Sequence, residues 1–282
     1  MKILITGSES MLARDLIPVL RENNEIIPLS KPAMDVTEKD SAIKNVKRSA
    51  PDIVINCAAY TKVDAAEEEW EKAFKVNGMG VQNLAIACEE MQIPLCHIST
   101  DYVFDGRKDK PYTPFDAPNP LNVYGESKLA GEKYIQWIMN KFYIVRASGL
   151  YGRGDNNFVM KILRLAKEQQ TVKVVTDQIC SPTYTASLSA GIKKLIESGS
   201  FGIYHIADDS GSGISWFDYA REIVSIAGVR AEIIPVTSEG FPRPAKRPAY
   251  SVLDTDITRF ALNYTPEKRV IALKKFLSTA NL

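Results

Sequence analysis

Apolar residues along this chain fall into short continuous runs separated by longer amphipathic stretches. Lys2 to Ile5, Glu25 to Leu29, Ile53 to Asn56, Leu95 to Ser99 and Phe142 to Arg146 are brief, largely apolar and bounded by turn residues. A parallel strand covered on both faces requires such runs, because neither face meets water. Between them lie stretches of helical periodicity, among them Gln82 to Met91 and Ser127 to Met139. Strand and helix in alternation predict an α/β fold built on a doubly wound parallel sheet. Beyond about Arg146 the rhythm loosens into a glycine-rich turn at Tyr151 to Gly154, a strand-like Val172 to Thr176 and a helix near Ser215 to Ala227. The pattern therefore predicts a main domain over residues 1–150, with strand returns from the second half, and a smaller lobe over 151–282. A proline-rich basic loop spans Phe241 to Asp254, the kind of long connection that often binds.

Composition narrows the picture by exclusion. Across 282 residues, 45% are hydrophobic and 24% charged, which is ordinary globular usage and enough chain for a sizeable core. Lys and Arg number 35 against 34 Asp and Glu, so no global field marks a nucleic-acid or acidic-membrane partner, and any anion site must be local. The cysteines Cys57, Cys88, Cys96 and Cys180 lack C-x-x-C spacing and sit mostly in apolar runs, as buried thiols of a reducing compartment do. MKILITG is too short for a signal-peptide core, and no stretch approaches the roughly 20 apolar residues of a membrane span. A cytoplasmic location is expected.

The first run, KILIT, passes directly into Gly7 and then into a helical pattern from about Met11. A glycine turn in that position can present helix N-terminal amides to a pyrophosphate, the dinucleotide-binding device of the Rossmann sheet. The spacing is Gly7-x-x-Ser10-x-x-Ala13, where three glycines are usual in extended short-chain dehydrogenases. Alanine at the third position is mild, because that site serves close packing of helix on strand. Ser10 matters more: its side chain either narrows the site or offers its hydroxyl as a donor. A strand-to-helix turn that binds nothing would look the same, so other motifs must decide. After the second strand, Ser30 and Lys31 stand where an acidic residue would hold a ribose, which favours NADPH, with NADH as the alternative.

Tyr124 and Lys128 are four residues apart, hence on one helix face, where the ammonium can lower the phenol pKa. Carbonyl reduction needs that arrangement, since hydride addition develops an alkoxide that must receive a proton. Tyrosine and lysine at this spacing also occur on ordinary solvated helix faces. Here the pair follows Ser99-Thr100-Asp101-Tyr102, at the expected C-terminal edge of the sheet, where Thr100 can orient a carbonyl.

The runs ISTDYVFDG (Ile98 to Gly106) and YGESKLAGE (Tyr124 to Glu132) resemble the dTDP-4-dehydrorhamnose reductases, a family of the extended short-chain dehydrogenase/reductase superfamily. NCAAYTKVDAAE (Asn56 to Glu67), Val76-Asn77, DQICSPTYT (Asp177 to Thr185) and RPAYSVLDT (Arg247 to Thr255) extend the resemblance over nearly the whole chain. It implies a substrate-binding C-terminal lobe and NADPH-dependent reduction of the C4 ketone of dTDP-4-dehydro-L-rhamnose to dTDP-L-rhamnose, in a monomer or weak homodimer. Thr100, Tyr124 and Lys128 would be catalytic. Gly7, Ser10, Met11, Leu12, Ser30, Lys31, Asp35, Val36, Ala58, Ala59, Tyr60, Asn77, Tyr124 and Lys128 would border the cofactor, and Asp101, Tyr102 and Arg247 the nucleotide sugar.

Departures from the family pattern are as informative. Where these reductases usually read RTSWVYG, this chain has Arg146-Ala147-Ser148-Gly149-Leu150-Tyr151-Gly152, so a bulky indole near the sugar is missing. Tyr250 replaces a usual asparagine, and acidic metal positions do not map around Arg14 and Asp15, so neither a metal nor a metal-bridged dimer is expected. These changes keep two alternatives open. One is a reductase or epimerase of another nucleotide sugar; the other is a non-catalytic subunit resembling the regulatory β subunit of S-adenosylmethionine synthetase. His97 and His205, in strand-like runs, read as structural, Glu67 to Glu69 with Glu71 as a solvated face, and Trp70, Trp137 and Trp216 as packing residues. Arg243, Lys246 and Arg247 either meet a diphosphate or decorate a surface loop.

Overall fold

The computed structural model describes residues 1–280. The first half runs β1 (Lys2–Thr6), α1 (Met11–Arg21), β2 (Glu25–Leu29), α2 (Lys39–Ser49), β3 (Ile53–Asn56), α3 (Trp70–Phe74), α4 (Gly80–Glu90), β4 (Leu95–Thr100), α5 (Val123–Ile138) and β5 (Phe142–Ala147). After β6 (Leu150–Tyr151) come α6 (Phe158–Glu168), β7 (Thr171–Val175), β8 (Ile179–Cys180), β9 (Thr183–Tyr184), α7 (Thr185–Ser198) and β10 (Gly202–His205). β11 (Ile214–Ser215), α8 (Trp216–Ile226), β12 (Glu232–Val236), α9 (Asp256–Leu262) and α10 (Arg269–Thr279) complete the described chain.

The five apolar runs are the strands β1 to β5, joined by β10 in a parallel sheet of order β10-β5-β4-β3-β1-β2. Ile3, Leu4 and Ile5 are fully buried, as are Val54 and Ile55, because helices cover both faces. β2 lies at the edge, which is why it accommodates Pro28: a missing amide costs no ladder bond on an open side. The order reverses between β1 and β3, the position where doubly wound sheets leave a crevice beyond their strand ends.

The chain crosses residue 150 more than once. Leu188, Ile192 and Leu195 of α7 pack with Leu12, Leu16 and Leu20 of α1 in one core beneath the sheet, and β10 extends the sheet beside β5. A second core, with Tyr151, Ile162, Tyr219, Ile223 and Phe276, lies among α6, α8 and α10 and the pair β7–β12. α5 begins four residues before the expected Ser127, because the Asn122 side chain accepts from Gly125 N at 2.8 Å and caps it there. That extra turn puts Tyr124 and Lys128 in one continuous helix entering the crevice.

Candidate active site

At the switch point a cleft of about 670 Å3 opens between the ends of β1, β3 and β4. Gly7 makes the turn after β1 with φ +61°, and a Cβ there would sit 2.6 Å from Ala58 N, so only glycine permits this approach. Ser10 caps α1 by accepting from Ala13 N at 3.3 Å, which leaves its hydroxyl proton free at the cleft wall. Among the described residues, the amides of Met11 and Leu12 have no hydrogen-bond partner, and both residues line the cleft with Ser10. Arg14 and Arg153 line the same space. Free amides at a helix N-terminus beside the Arg14 guanidinium are suited to an anion, while the Arg153 guanidinium is shared with Asp15.

The far end of the cleft belongs to β4 and α5. Thr100, Asp101 and Tyr124 line both this cleft and an adjoining cavity of about 250 Å3, whose other walls include Tyr102, Cys180 and Trp216. Tyr102 meets Tyr124 edge-on with centroids 5.8 Å apart. Thr100 donates its hydroxyl to Asp101 Oδ1 at 3.1 Å and accepts from Tyr102 N at 3.2 Å. Asp101 is buried and accepts from Ser148 Oγ at 2.7 Å and Ser251 Oγ at 2.6 Å, which joins three distant segments. Burial pushes its carboxyl up to about 6 against those hydrogen bonds.

Lys128 does not act on Tyr124 as its spacing predicts. Its ammonium donates to Ile98 O at 2.6 Å and lies 3.4 Å from His97 Nε2. Burial pulls Lys128 down to about 8 and pushes Tyr124 up to about 12, the latter opposed by a hydrogen bond with Thr100. Desolvation of the phenolate therefore outweighs the Thr100 hydrogen bond, and the Asp101 charge adds to it. His97 is fully buried, and its Nδ1 lies 3.0 Å from Asn56 Nδ2, while Asn56 Oδ1 accepts from Thr6 Oγ1 and Ala58 N. The chain Thr6, Asn56, His97, Lys128 thus runs under the cleft floor. His97 belongs to the site's support, which its apolar strand context did not reveal.

Ala58 and Ala59 line the cleft, whereas Gly7, Ser30, Lys31, Asp35, Val36, Tyr60 and Asn77 are not among its lining residues. Asn77 is buried, its amide spent on Tyr60 N, Tyr60 O and Ser127 Oγ, so it ties the β3 loop to α5. Tyr60 turns its hydroxyl to Glu69 at 2.8 Å. Lys31 is exposed, 3.8 Å from Asp35, which itself accepts from Thr37. Val36 is buried and its carbonyl accepts from Asn83 Nδ2. Arg247 and Arg243 both pair with Asp64, at 2.7 and 2.5 Å, so two of the three loop cations have a carboxylate partner. Arg247 instead borders an outer cavity of about 570 Å3 with Lys161 and Arg164. Asp15 is buried, accepting from Thr185 Oγ1 and pairing with Arg153 at 3.0 Å. Among the described residues, no three His, Cys, Asp or Glu side chains gather as metal ligands. His205 is buried with Nδ1 3.2 Å from Asp254 O, as a structural histidine would be.

A parallel sheet with its glycine turn at the switch point, and a tyrosine and lysine carried by the helix entering that crevice, are together the construction of the extended short-chain dehydrogenase/reductases. Residues 1–281 match the family described as RmlD substrate binding domain. The chain belongs to this family, that of the dTDP-4-dehydrorhamnose reductases. It is 38% identical to a dTDP-4-dehydrorhamnose reductase of Aggregatibacter actinomycetemcomitans over 99% of both chains. It is also 38% identical to a dTDP-4-keto-6-deoxy-D-glucose reductase of Streptomyces niveus, over 92% of this chain and 90% of that one. A crystal structure of dTDP-4-dehydrorhamnose reductase from Bacillus anthracis in complex with NADP superimposes with a TM-score of 0.95 at 38% identity, covering 99% of each chain.

Proposed function

We propose that this protein reduces the C4 ketone of dTDP-4-dehydro-L-rhamnose to the alcohol of dTDP-L-rhamnose, with NADPH as reductant. The observation that carries the reading is the shared wall of Thr100, Asp101 and Tyr124 between a dinucleotide-sized cleft and a sugar-sized cavity. The residues present fit a dinucleotide: free amides of Met11 and Leu12 and the guanidinium of Arg14 suit a pyrophosphate, and the close Gly7 turn leaves room above it. When bound, the reduced nicotinamide supplies hydride for the carbonyl carbon. Tyr124, protonated at neutral pH and held more firmly so by burial, gives its hydroxyl proton to the carbonyl oxygen, with Thr100 orienting that oxygen. Lys128, held by Ile98 O and His97 at the cleft wall, would bind the ribose hydroxyls of the cofactor.

Ser30 and Lys31 at the adenosine end support NADPH over NADH, since Lys31 is exposed and can turn from Asp35 toward a 2′-phosphate. Asp101 and Tyr102 serve the sugar side and Arg247 the outer, nucleotide end. A second reading, reduction of a stereoisomeric dTDP-4-keto-6-deoxyhexose, is favoured by Gly149 and by the activity named for the Streptomyces niveus relative. Among the described residues no helix is long and apolar enough to cross a membrane, and a cytoplasmic monomer or weak homodimer is the working form. The test follows reduced-nicotinamide absorbance with each ketosugar nucleotide, running NADPH and NADH in parallel. Tyr124→Phe should lose about 100-fold or more in kcat with cofactor affinity unchanged; undiminished turnover would remove Tyr124 as the proton donor.

A further inference from the structure

The cavity beside Tyr124 takes part of its lining from the second half of the chain, where Trp216 supplies an indole. Trp216 opens α8, where its amide donates to Gln178 O at 3.2 Å and Ser215 Oγ caps the helix by accepting from Asp218 N at 3.0 Å. Its ring packs on Phe158 with centroids 4.3 Å apart and on Tyr219 at 6.3 Å, so it is braced from behind. In front, it lines the 250 Å3 cavity together with Thr100, Tyr124 and Gly149.

Gly149 and Trp216 compete for one volume. Gly149 turns the chain after β5 with φ +54°, and a Cβ there would sit 3.0 Å from Trp216 Cη2 and 3.2 Å from Pro182 Cα. Glycine at 149 lets the indole stand in the cavity wall without the shift of a few tenths of an ångström that a Cβ would impose. An aromatic face at this point offers surface to an apolar part of a sugar and no partner to a hydroxyl or carboxylate.

We propose that Trp216 is a specificity-determining residue, whose indole packs on the apolar face and C6 methyl of a 6-deoxy-4-ketohexose. The preference follows from burial: a methyl gains against the ring, a hydroxyl there loses its water, and a carboxylate loses far more. This deepens the ketosugar reading and rests on it.

The test compares wild type with Trp216→Ala, Trp216→Phe, Gly149→Ala and a double variant that combines Trp216→Phe with Gly149→Ala. Substrates are a dTDP-4-keto-6-deoxyhexose and its 6-hydroxy counterpart, with NADPH affinity and thermal melting measured alongside. Trp216→Ala should raise KM for the 6-deoxy substrate about tenfold or more, with kcat and NADPH affinity nearly unchanged, and should flatten the C6 preference. A phenyl ring stops short of Cη2, so Gly149→Ala should raise KM in the wild-type background and do so far less when combined with Trp216→Phe. Backbone strain at a left-handed alanine is common to both backgrounds and cancels in the cycle. Unchanged KM and C6 preference in Trp216→Ala, or an equal Gly149→Ala effect in both backgrounds, would overturn the assignment while leaving ketosugar reduction intact. A wild type that binds NADPH but turns over no ketosugar nucleotide would overturn both together.

Discussion

Asp101 concentrates the electrostatic cost of the site in one residue. Its carboxyl sits at about 6 in the folded protein, above the ordinary 3.8, because burial outweighs three hydroxyl partners and its own backbone. A raised acid favours the protonated form, so its contribution to stability is complete below the unfolded pKa and is lost as pH rises through about 6. Asp101→Asn removes that dependence. Between about pH 4 and 6 the variant's unfolding free energy should gain on wild type by roughly 1.4 kcal/mol per pH unit, read from urea titrations across that range. Parallel curves for the two proteins would mean that the carboxyl is not buried as an acid. At the same scale, Ser10 was open to two readings from sequence, and the structure gives a third. Its oxygen accepts from Ala13 N and caps the helix, which leaves the hydroxyl proton and the Met11 and Leu12 amides for a ligand.

At the scale of elements, the helix bearing Tyr124 and Lys128 is fastened to the sheet by a buried ion pair. Glu132 of α5 accepts from Arg146 of β5 at 3.0 Å through Nε and 2.6 Å through NH2, and also receives Ser99 Oγ of β4. Both side chains are essentially inaccessible. Removing one partner strands the other's charge in the core, a loss of about 3–5 kcal/mol. Glu132→Ala should therefore lower Tm by on the order of 10 °C, and Tyr124 would lose its fixed position along with the helix. A Tm within a degree or two of wild type would show that water reaches Arg146. Glycines set how closely this helix lies: a Cβ at Gly125 would sit 2.2 Å from Tyr102 O, and one at Gly131 2.3 Å from Asn77 O. Helical periodicity located α5 but began it at Ser127, because the capping bond from Asn122 precedes any apolar repeat.

Over the whole molecule, polar ties add to the apolar core and to β10 in fastening the second half of the chain to the first. Asp64, after β3, holds Arg243 and Arg247 of the proline-rich loop and accepts from Ala245 N; burial opposes ionisation, but these partners prevail and lower its carboxyl well below the usual range. Asp64→Asn should free that loop. Limited trypsin digestion should then cut after Lys246, the one cation of this loop not followed by proline, several-fold faster, with the rest of the chain protected. Equal cleavage rates would mean that the prolines alone hold the loop. The cations in this loop were legible as a cluster, but their neutralisation was not, since Asp64 lies nearly two hundred residues earlier in the chain.

Sequence by itself determined what local geometry determines. Continuous apolar runs such as KILIT and DIVIN specify strands buried on both faces, and spacing of four places Tyr124 and Lys128 on one helix face. Gly7 announced a turn that only glycine makes. Tertiary structure alone decided which separated side chains meet. It set His97 against Lys128, brought Trp216 to Gly149, closed Asp101 between Ser148 and Ser251, and returned β10 to the sheet. Those contacts depend on how distant elements pack, and burial then resets their chemistry, lifting Tyr124 and lowering Lys128 against the simple expectation from spacing.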